Sequence, residues 1–120
     1  MDDGREDIEL CLENYKTLIY DGNFDIICNH SGVLDMIADL SWSGSDAYRY
    51  TMIYSKILYW PCPSRADRHV YYYNGKEVVG YLTKADNLNL LVVRNAGHMV
   101  PLSQPPYAQQ MIEEFTSGAM

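Results

Sequence analysis

A histidine that follows an apolar segment through a short turn is the first candidate for chemistry in this chain. The stretch NAGHMVP at positions 95–101 comes directly after LLVV at positions 90–93, and an unbroken apolar run of this kind is typical of a buried strand. We expect Gly97 to act as the hinge of the turn and Pro101 to fix the backbone that leaves it. A lone histidine is more often structural, but His98 in this setting is placed to transfer protons.

An aspartate stands in a comparable position earlier in the chain. The sequence LIYDGNFD at positions 18–25 predicts a short strand that enters a tight turn, after which Asp25 follows. Asp21 is a rival, but it lies where the turn calls for an Asx residue, so we favour Asp25. A carboxylate there can orient a histidine and stabilise its imidazolium, although a solvated turn aspartate or a helix cap is the alternative. An acid and then a histidine, each beyond a strand, is the order of the last two members of the Ser-Asp-His triad in α/β-hydrolases.

The serine of such a triad cannot be found in these residues. No Gly-x-Ser-x-Gly sequence occurs, and Ser43 and Ser45 flank Gly44 without the strand-to-helix turn that a nucleophile needs. The chain therefore supplies no complete triad, and no oxyanion hole can be named.

The elements that must position Asp25 and His98 follow from apolar periodicity and turn residues. We predict helices over 6–14, from an N-cap at Ser31 to residue 40, over 47–60, and from Gln104-Pro105-Pro106 to Gly118. Strands are predicted over 16–20, 70–73, 77–82 and 88–94, with a turn at 21–23 and the middle two strands joined by a type I′ turn at Asn74-Gly75. This order favours an α/β fold with a partial sheet and flanking helices.

Some details of the helices are also predicted. Asp3 or Asp7 is expected to cap the first helix, and residues 41–46 to form a break rich in small residues. The last helix should bury one stripe of apolar side chains. Its members are Tyr107, Ala108, Met111, Ile112 and Phe115.

Composition and charge exclude several classes of protein. At 120 residues, with 48% hydrophobic residues, the chain can bury one modest core. A net charge of −7 argues against nucleic acid as a partner, because phosphate contacts need a basic surface. No apolar run is long enough for a membrane helix, and the acidic start at Met1–Asp7 does not resemble a signal peptide, so a complete chain would be cytosolic by default.

The cysteines and remaining histidines carry weaker signals. Cys11, Cys28 and Cys62 show no CxxC spacing, so we expect no metal or other cofactor, and either one disulfide with a free thiol or three free thiols. His30 and His69 are expected at the surface. A glycosylation sequon at positions 29–31 is expected to face inward and to remain unmodified.

Two segments of the sequence resemble the serine carboxypeptidases. YDGNFDIICN at positions 20–29, with Gly32 after it, is similar to that family's catalytic-aspartate segment. NAGHMVP at 95–101, followed by Gln104-Pro105, is similar to its catalytic-histidine segment. The spacing of the two, the sequence LSW at 40–42 and the hairpin before the last strand also fit, so the resemblance covers about residues 16–118.

The resemblance implies a function and a set of site residues. Serine carboxypeptidases are α/β-hydrolases that remove C-terminal amino acids from peptides, generally at acidic pH in lysosomal, vacuolar or secreted settings. Asp25 matches the triad aspartate and His98 the triad histidine, while Cys28 and Met99 match residues at the substrate site. The family needs no cofactor or metal, and its partner is a peptide, not a nucleic acid or a membrane.

The family's serine motif, Gly-Glu-Ser-Tyr, has no counterpart here. We therefore expect residues 1–120 to be the C-terminal portion of a single α/β-hydrolase domain that is inactive by itself. Two alternatives stay open: an acyltransferase on the same fold, and a truncated product without catalytic function. The pairing of Cys11 and Cys62 and the oligomeric state stay open as well.

Overall fold

A mixed four-stranded sheet forms the centre of the computed structural model, which describes residues 4–54 and 67–120, with the side chains of residues 4–52 and 67–120. The helices are α1 (Arg5–Asn14), α2 (His30–Asp39), α3 (Ser45–Tyr54), α4 (Val100–Ser103) and α5 (Pro105–Ser117). The strands are β1 (Thr17–Gly22), β2 (Asp67–Tyr73), β3 (Glu77–Ala85) and β4 (Leu88–Val93). Their order in the sheet is β1-β4-β3-β2.

The parallel pair β1 and β4 decides where the candidate residues meet. These strands run in register from the pair Thr17 and Leu88 to the pair Gly22 and Val93. Parallel neighbours end at the same edge of a sheet, so the segments after Gly22 and Val93 leave from one place. The pairs β4–β3 and β3–β2 are antiparallel and extend the sheet away from this edge.

Each face of the sheet carries its own apolar core. On one face, Leu12, Ile37 and Tyr48 from the three N-terminal helices pack with Leu88 and Leu90 of β4. On the other face, Leu91 and Val93 pack with Met111 of α5 and Val100 of α4. Strand β4 is therefore buried on both sides, as its unbroken apolar run predicts.

The hairpin that joins β2 and β3 confirms the predicted turn. Both Asn74 and Gly75 have positive φ, at 49° and 67°, and Lys76 N donates to Tyr73 O at 3.0 Å. Two consecutive residues with positive φ define the type I′ turn, which matches the right-handed twist of the strands. The strands themselves are longer than predicted, since β2 begins at Asp67 and β3 continues to Ala85.

Several predictions about helix ends were wrong. The residue that precedes α1 is Gly4, in the left-handed conformation and without a side-chain cap. Asp7 therefore does not cap this helix, and Asp3 lies outside the described residues. Helix α2 is capped by Asn29, whose side chain accepts a hydrogen bond from Ser31 N, and not by Ser31. An asparagine reaches the backbone N–H two residues on as readily as a serine does.

Other differences concern the extent of elements. Helix α3 starts at Ser45, two residues early, and the predicted segment 55–60 lies outside the described residues. The short helix α4 was not predicted, because four residues are too few to show a helical period. In α5, Ala108 and Met111 are buried, but Ile112 is 46% exposed and does not belong to the buried stripe.

Strand β1 also continues further than the sequence predicts. It ends at Gly22, so Asp21 lies within the strand, paired in register with Val92, and is only 7% exposed. The prediction that Asp21 occupies the turn was wrong, because the pairing of β1 with β4 overrides the local turn preference of Asp and Gly. Among the described residues, no helix is both long enough and apolar enough to cross a membrane.

Candidate active site

The two segments that leave the parallel strands are joined by backbone hydrogen bonds. Asn23 N donates to Val93 O at 2.9 Å, and Phe24 N donates to Ala96 O at 2.9 Å. Gly22 makes this approach feasible, because a Cβ there would collide with the carbonyl oxygens of Ala96 and Gly97. The residues that follow each strand are thus held side by side before any side chain is considered.

The Asp25 carboxylate is fixed by the backbone that follows it. Its Oδ1 accepts hydrogen bonds from Ile27 N at 2.8 Å and Cys28 N at 2.9 Å. Asp25 N donates to Gly22 O at 3.0 Å, which closes the turn. The residue is only 6% exposed, so the loop both buries the carboxylate and holds its orientation.

The His98 loop is shaped by contacts with the helices that follow it. Gln104 Nε2 donates to Asn95 O at 3.0 Å, and Gly97 N donates to Ser103 Oγ at 3.4 Å. The positive φ of this turn falls on Asn95, at 55°, so Gly97 is not the conformational hinge that the sequence predicts. A Cβ added at Gly97 would have no described atom within 4 Å, so the space around this residue does not require a glycine.

These two loops bring Asp25 and His98 together. His98 Nδ1 lies 2.8 Å from Asp25 Oδ2, a distance of a charge-assisted hydrogen bond. The side chain of Asp25 is 2% exposed, whereas that of His98 is 50% exposed. A buried carboxylate that holds one ring nitrogen leaves the other nitrogen of a half-exposed imidazole available for proton transfer.

Opposing influences act on the ionisation of Asp25. Burial tends to raise its pKa, but the hydrogen bonds from Cys28 N, His98 and Ile27 N, together with the charge of His98, outweigh burial. The pKa of Asp25 is therefore lowered from its ordinary value, and the carboxylate is ionised over the neutral and mildly acidic range. An ionised Asp25 accepts a hydrogen bond from Nδ1–H, which favours the neutral tautomer of His98 that carries its proton on Nδ1.

A second carboxylate, Asp21, lies close to the first, although the predicted turn assigns it no part in the site. Its Oδ1 accepts from Gly22 N at 2.8 Å, but its buried Oδ2 has no hydrogen-bond partner among the described residues, as is also true of Asn23 Oδ1. Burial first, and then the neighbouring Asp25 charge, raise the pKa of Asp21. Alternation along β1 could have placed Asp21 on an inward face, had the strand been predicted to reach residue 22.

Cys28 and Met99 lie in the same loops as the pair. Cys28 is a free, exposed cysteine, and Met99 is 59% exposed. One ligand atom from each of Asp25, Cys28 and His98 lies within 4.8 Å of the others. Around these residues several apolar side chains are exposed. They are Phe24 (63%), Ile26 (95%), Ile27 (79%) and Leu102 (76%).

The remaining histidines and serines do not join this pair. His69 is exposed on β2, as predicted, and lies 3.3 Å from Asp67, whereas His30 is half-buried at the start of α2. No serine in the described parts of the chain is hydrogen-bonded to His98. Ser103 Oγ accepts from Gly97 N, and Ser43 N donates to Glu13, which lies in neither loop. The sequon residue Asn29 is exposed, which contradicts the inward-facing turn expected for it.

Two clefts adjoin the Asp25 loop. One, of about 450 Å³, is lined by residues of the loop itself, among them Asn23, Asp25 and Asn29. The other, of about 300 Å³, lies between α2 and the sheet and is lined by His30, Leu34 and Thr83, among others. Asn23 of the Asp25 loop and His30 line both clefts, and neither cleft is lined by His98.

Comparisons with known proteins agree on one family. The family model for serine carboxypeptidases matches residues 2–118. The vitellogenic carboxypeptidase of Aedes aegypti is 35% identical over 105 residues, which are 88% of this chain and 19% of that protein. The venom serine carboxypeptidase of Apis mellifera is 36% identical over 104 residues, 87% of this chain and 19% of that protein. The chain thus spans about a fifth of the length of these relatives.

A solved structure is similar in fold. Kex1(delta)p, a prohormone-processing carboxypeptidase from Saccharomyces cerevisiae, superposes with a TM-score of 0.71 over 95% of this chain and 22% of that chain. The sequence identity is 24%, so this likeness concerns the fold. The mixed sheet with flanking helices is accordingly part of an α/β-hydrolase fold, as predicted.

Proposed function

Because this chain belongs to the serine carboxypeptidase family, we propose that it carries the aspartate and the histidine of a serine peptidase triad. The whole protein would remove C-terminal amino acids from peptides, with residues 1–120 as the C-terminal portion of one α/β-hydrolase domain. The observation that supports this proposal most directly is the 2.8 Å contact of His98 Nδ1 with Asp25 Oδ2 at the carboxyl ends of two parallel strands. The nucleophilic serine would lie outside these residues, since no Gly-x-Ser-x-Gly sequence occurs in them.

In the proposed reaction, His98 moves the proton and Asp25 holds His98. The serine hydroxyl attacks the C-terminal peptide bond while Nε2 of His98 accepts its proton. Asp25 stays ionised, keeps the proton of His98 on Nδ1 and stabilises the imidazolium that forms. The imidazolium then protonates the departing amino acid. Water attacks the acyl-enzyme while His98 accepts its proton, and His98 returns that proton to the serine oxygen as the ester bond breaks and the shortened peptide leaves.

The peptide would lie against the exposed side chains beside this pair. Cys28 follows Asp25 by three residues, and Met99 follows His98 directly; both are exposed. A thiol and a thioether are soft, adaptable surfaces for a substrate side chain. We therefore propose that Cys28 and Met99 line the substrate site, with no cofactor taking part.

The setting of the reaction is also proposed by family resemblance. We infer a lysosomal, vacuolar or secreted protein that works on peptides at acidic pH. The lowered pKa of Asp25 is compatible with such a setting, because the carboxylate stays ionised when the medium is mildly acidic. Immunolocalisation of the full-length protein would test this inference, and a purely cytosolic signal would contradict it.

The test of the catalytic proposal is His98→Ala in the full-length parent protein. Turnover of a blocked dipeptide should fall by roughly 10⁴- to 10⁶-fold, with folding intact, because the general base is lost. His69→Ala is the matched control, since His69 also lies beside an aspartate but is exposed on β2. Near wild-type hydrolysis by His98→Ala would reject the assignment. Product analysis with an added amine acceptor would separate hydrolysis from acyl transfer.

The isolated 120-residue chain should show no hydrolysis. Labelling of any of its serines by an organophosphonate reagent would contradict this expectation, because such reagents react with activated serines.

A further inference from the structure

Three side chains that bind transition metals converge at the pair of loops. Asp25, Cys28 and His98 each offer one ligand atom, and these atoms all lie within 4.8 Å of one another. Only Asp25 and Cys28 are close in sequence; His98 lies 70 residues beyond Cys28. A search for four-ligand sequence patterns could not find such a cluster, because its third member arrives through the pairing of β1 with β4.

We propose that Asp25, Cys28 and His98 bind one zinc ion. Zinc takes thiolate, imidazole and carboxylate ligands at about 2.0–2.3 Å, so ligand atoms in a tetrahedral site lie roughly 3.3–3.8 Å apart. His98 Nδ1 and Asp25 Oδ2 are 2.8 Å apart and no two of the three ligand atoms are more than 4.8 Å apart, so the side chains must shift to reach that spacing. His98 and Cys28 are exposed and can make this movement, while the buried Asp25 stays in place.

The Asp25 carboxylate is prepared for one metal bond. Its Oδ1 is occupied by the N–H groups of Ile27 and Cys28, which leaves Oδ2 as a monodentate ligand. Backbone hydrogen bonds to the free oxygen of a ligating carboxylate hold it in orientation. The ion would stand where the proton between His98 and Asp25 now lies, and a water molecule would complete the fourth position.

The ligand set selects against the common hard cations. Magnesium and calcium prefer oxygen ligands and six or more of them, whereas a thiolate and an imidazole favour zinc and its neighbours in the transition series. The inference concerns binding by this chain and does not depend on the proposed peptidase activity. Where that activity holds, zinc would inhibit it, because the ion replaces the proton on Nδ1 of His98 and takes the Asp25 oxygen that stabilises the imidazolium.

The experiment is a titration of the whole 120-residue chain with Co²⁺, followed by displacement with Zn²⁺. One Co²⁺ should bind with the visible bands of four-coordinate cobalt and a thiolate-to-metal charge-transfer band in the near ultraviolet, and Zn²⁺ should abolish both. Cys28→Ser should remove the charge-transfer band and weaken zinc binding by more than the roughly 10- to 100-fold that loss of a supporting hydrogen bond causes. His98→Gln should weaken zinc binding to a similar degree.

Matched controls separate this site from incidental binding. Cys11→Ser removes another free, exposed cysteine, and His69→Gln removes another histidine beside an aspartate. Both variants should bind Co²⁺ and Zn²⁺ as the parent does. Zinc should also slow the alkylation of Cys28 but not that of Cys11, as measured by mass spectrometry.

Any of three results would overturn the proposal. One is an unchanged charge-transfer band in Cys28→Ser; another is loss of binding in Cys11→Ser or His69→Gln. The third is binding only at millimolar zinc. Far-ultraviolet circular dichroism of each variant shows that it is folded. If Cys28→Ser does not fold, the alkylation assay on the parent chain decides the question. Equal protection of Cys28 and Cys11 by zinc would then reject the site. None of these readouts uses peptide hydrolysis, so a failure here is distinct from a failure of the proposed function.

Discussion

The Nδ1 atom of His98 lies 2.8 Å from Oδ2 of Asp25, although the two residues are 73 positions apart in the chain. The backbone prepares this contact, because Asn23 N and Phe24 N donate to Val93 O and Ala96 O. The side chains are therefore the last of three successive contacts between the same two segments. A contact supported in this way resists small changes in either loop, but it depends on the close approach of the backbones.

Asp25→Asn should make the stability of the chain less dependent on acid pH. The pKa of Asp25 is lower in the folded than in the unfolded state, so between those two values the unfolded state binds more protons. The stabilisation is present above about pH 4 and is lost as the pH falls through the folded value. The variant lacks this contribution, so it should be less stable than the parent at pH 7 and approach it at pH 2–3, measured by urea denaturation.

Asp46→Asn is the control for that experiment. The side chain of Asp46 is 99% exposed and its ion pair with Arg49 spans 3.5 Å, so removal of its charge should change stability little at any pH. Parallel pH profiles for Asp25→Asn and the parent would contradict the role given to Asp25. In the full-length protein, Asp25→Asn should also lower kcat by on the order of 10⁴-fold, because the tautomer of His98 is no longer held.

Gly22→Ala should separate the two loops. An added Cβ meets the carbonyl groups of Ala96 and Gly97, which are backbone atoms and cannot rotate away. We expect a loss of stability of about 1–3 kcal/mol, the range for overpacking, and a shift of the His98 imidazole signals in NMR spectra. Gly32→Ala is the control, because a Cβ there meets nothing within 4 Å and alanine favours the helix. Equal stability of Gly22→Ala and the parent would show that the backbones are not in close contact.

Local patterns explain how much of the fold could be predicted. The type I′ turn at Asn74-Gly75 and the doubly buried strand β4 follow from residue types within a few positions, so they were predicted. The extension of β1 to Gly22 depends on pairing with a strand about 70 residues away, which local patterns do not contain. Helix α4 has only four residues, too few to show a helical period. Tertiary pairing decided these elements, not propensity.

The candidate site divides in the same way. Asp25 and His98 stand after strands, so sequence order and spacing predict them as candidates without any knowledge of their distance. Asp21 was assigned to a turn, and its burial beside Asp25 became evident only from the strand that contains it. The convergence of Cys28 with His98 is likewise a consequence of strand pairing, which a single sequence does not contain.

Arg49→Met should destabilise the end of α2. Arg49 donates from Nε to Ala38 O at 2.6 Å and from Nη2 to Leu40 O at 2.7 Å, which satisfies carbonyl groups that a helix end leaves without partners. Methionine keeps much of the aliphatic packing but donates no hydrogen bond, so we expect a loss of about 1–3 kcal/mol in thermal or urea denaturation. Arg94→Met, at an exposed position after β4, should change stability by less than about 0.5 kcal/mol. A loss of stability no larger than that of Arg94→Met would mean that water hydrogen-bonds to these carbonyl groups as well as Arg49 does.

Asp21→Asn should have the opposite effect to Asp25→Asn. Burial raises the pKa of Asp21, so between about pH 4 and the raised value the folded state binds more protons than the unfolded state. Stability then falls as the pH rises through that window, because the folded chain must hold a buried, partly unpartnered carboxylate. Asparagine removes this charge, so the variant should be more stable than the parent at pH 7 and gain nothing at pH 3. The measurement is the difference in unfolding free energy between the two chains across that range. If Asp21→Asn is less stable than the parent at pH 7, the ionised Asp21 carboxylate stabilises the fold. The predicted opposite effects of Asp21→Asn and Asp25→Asn would then be wrong.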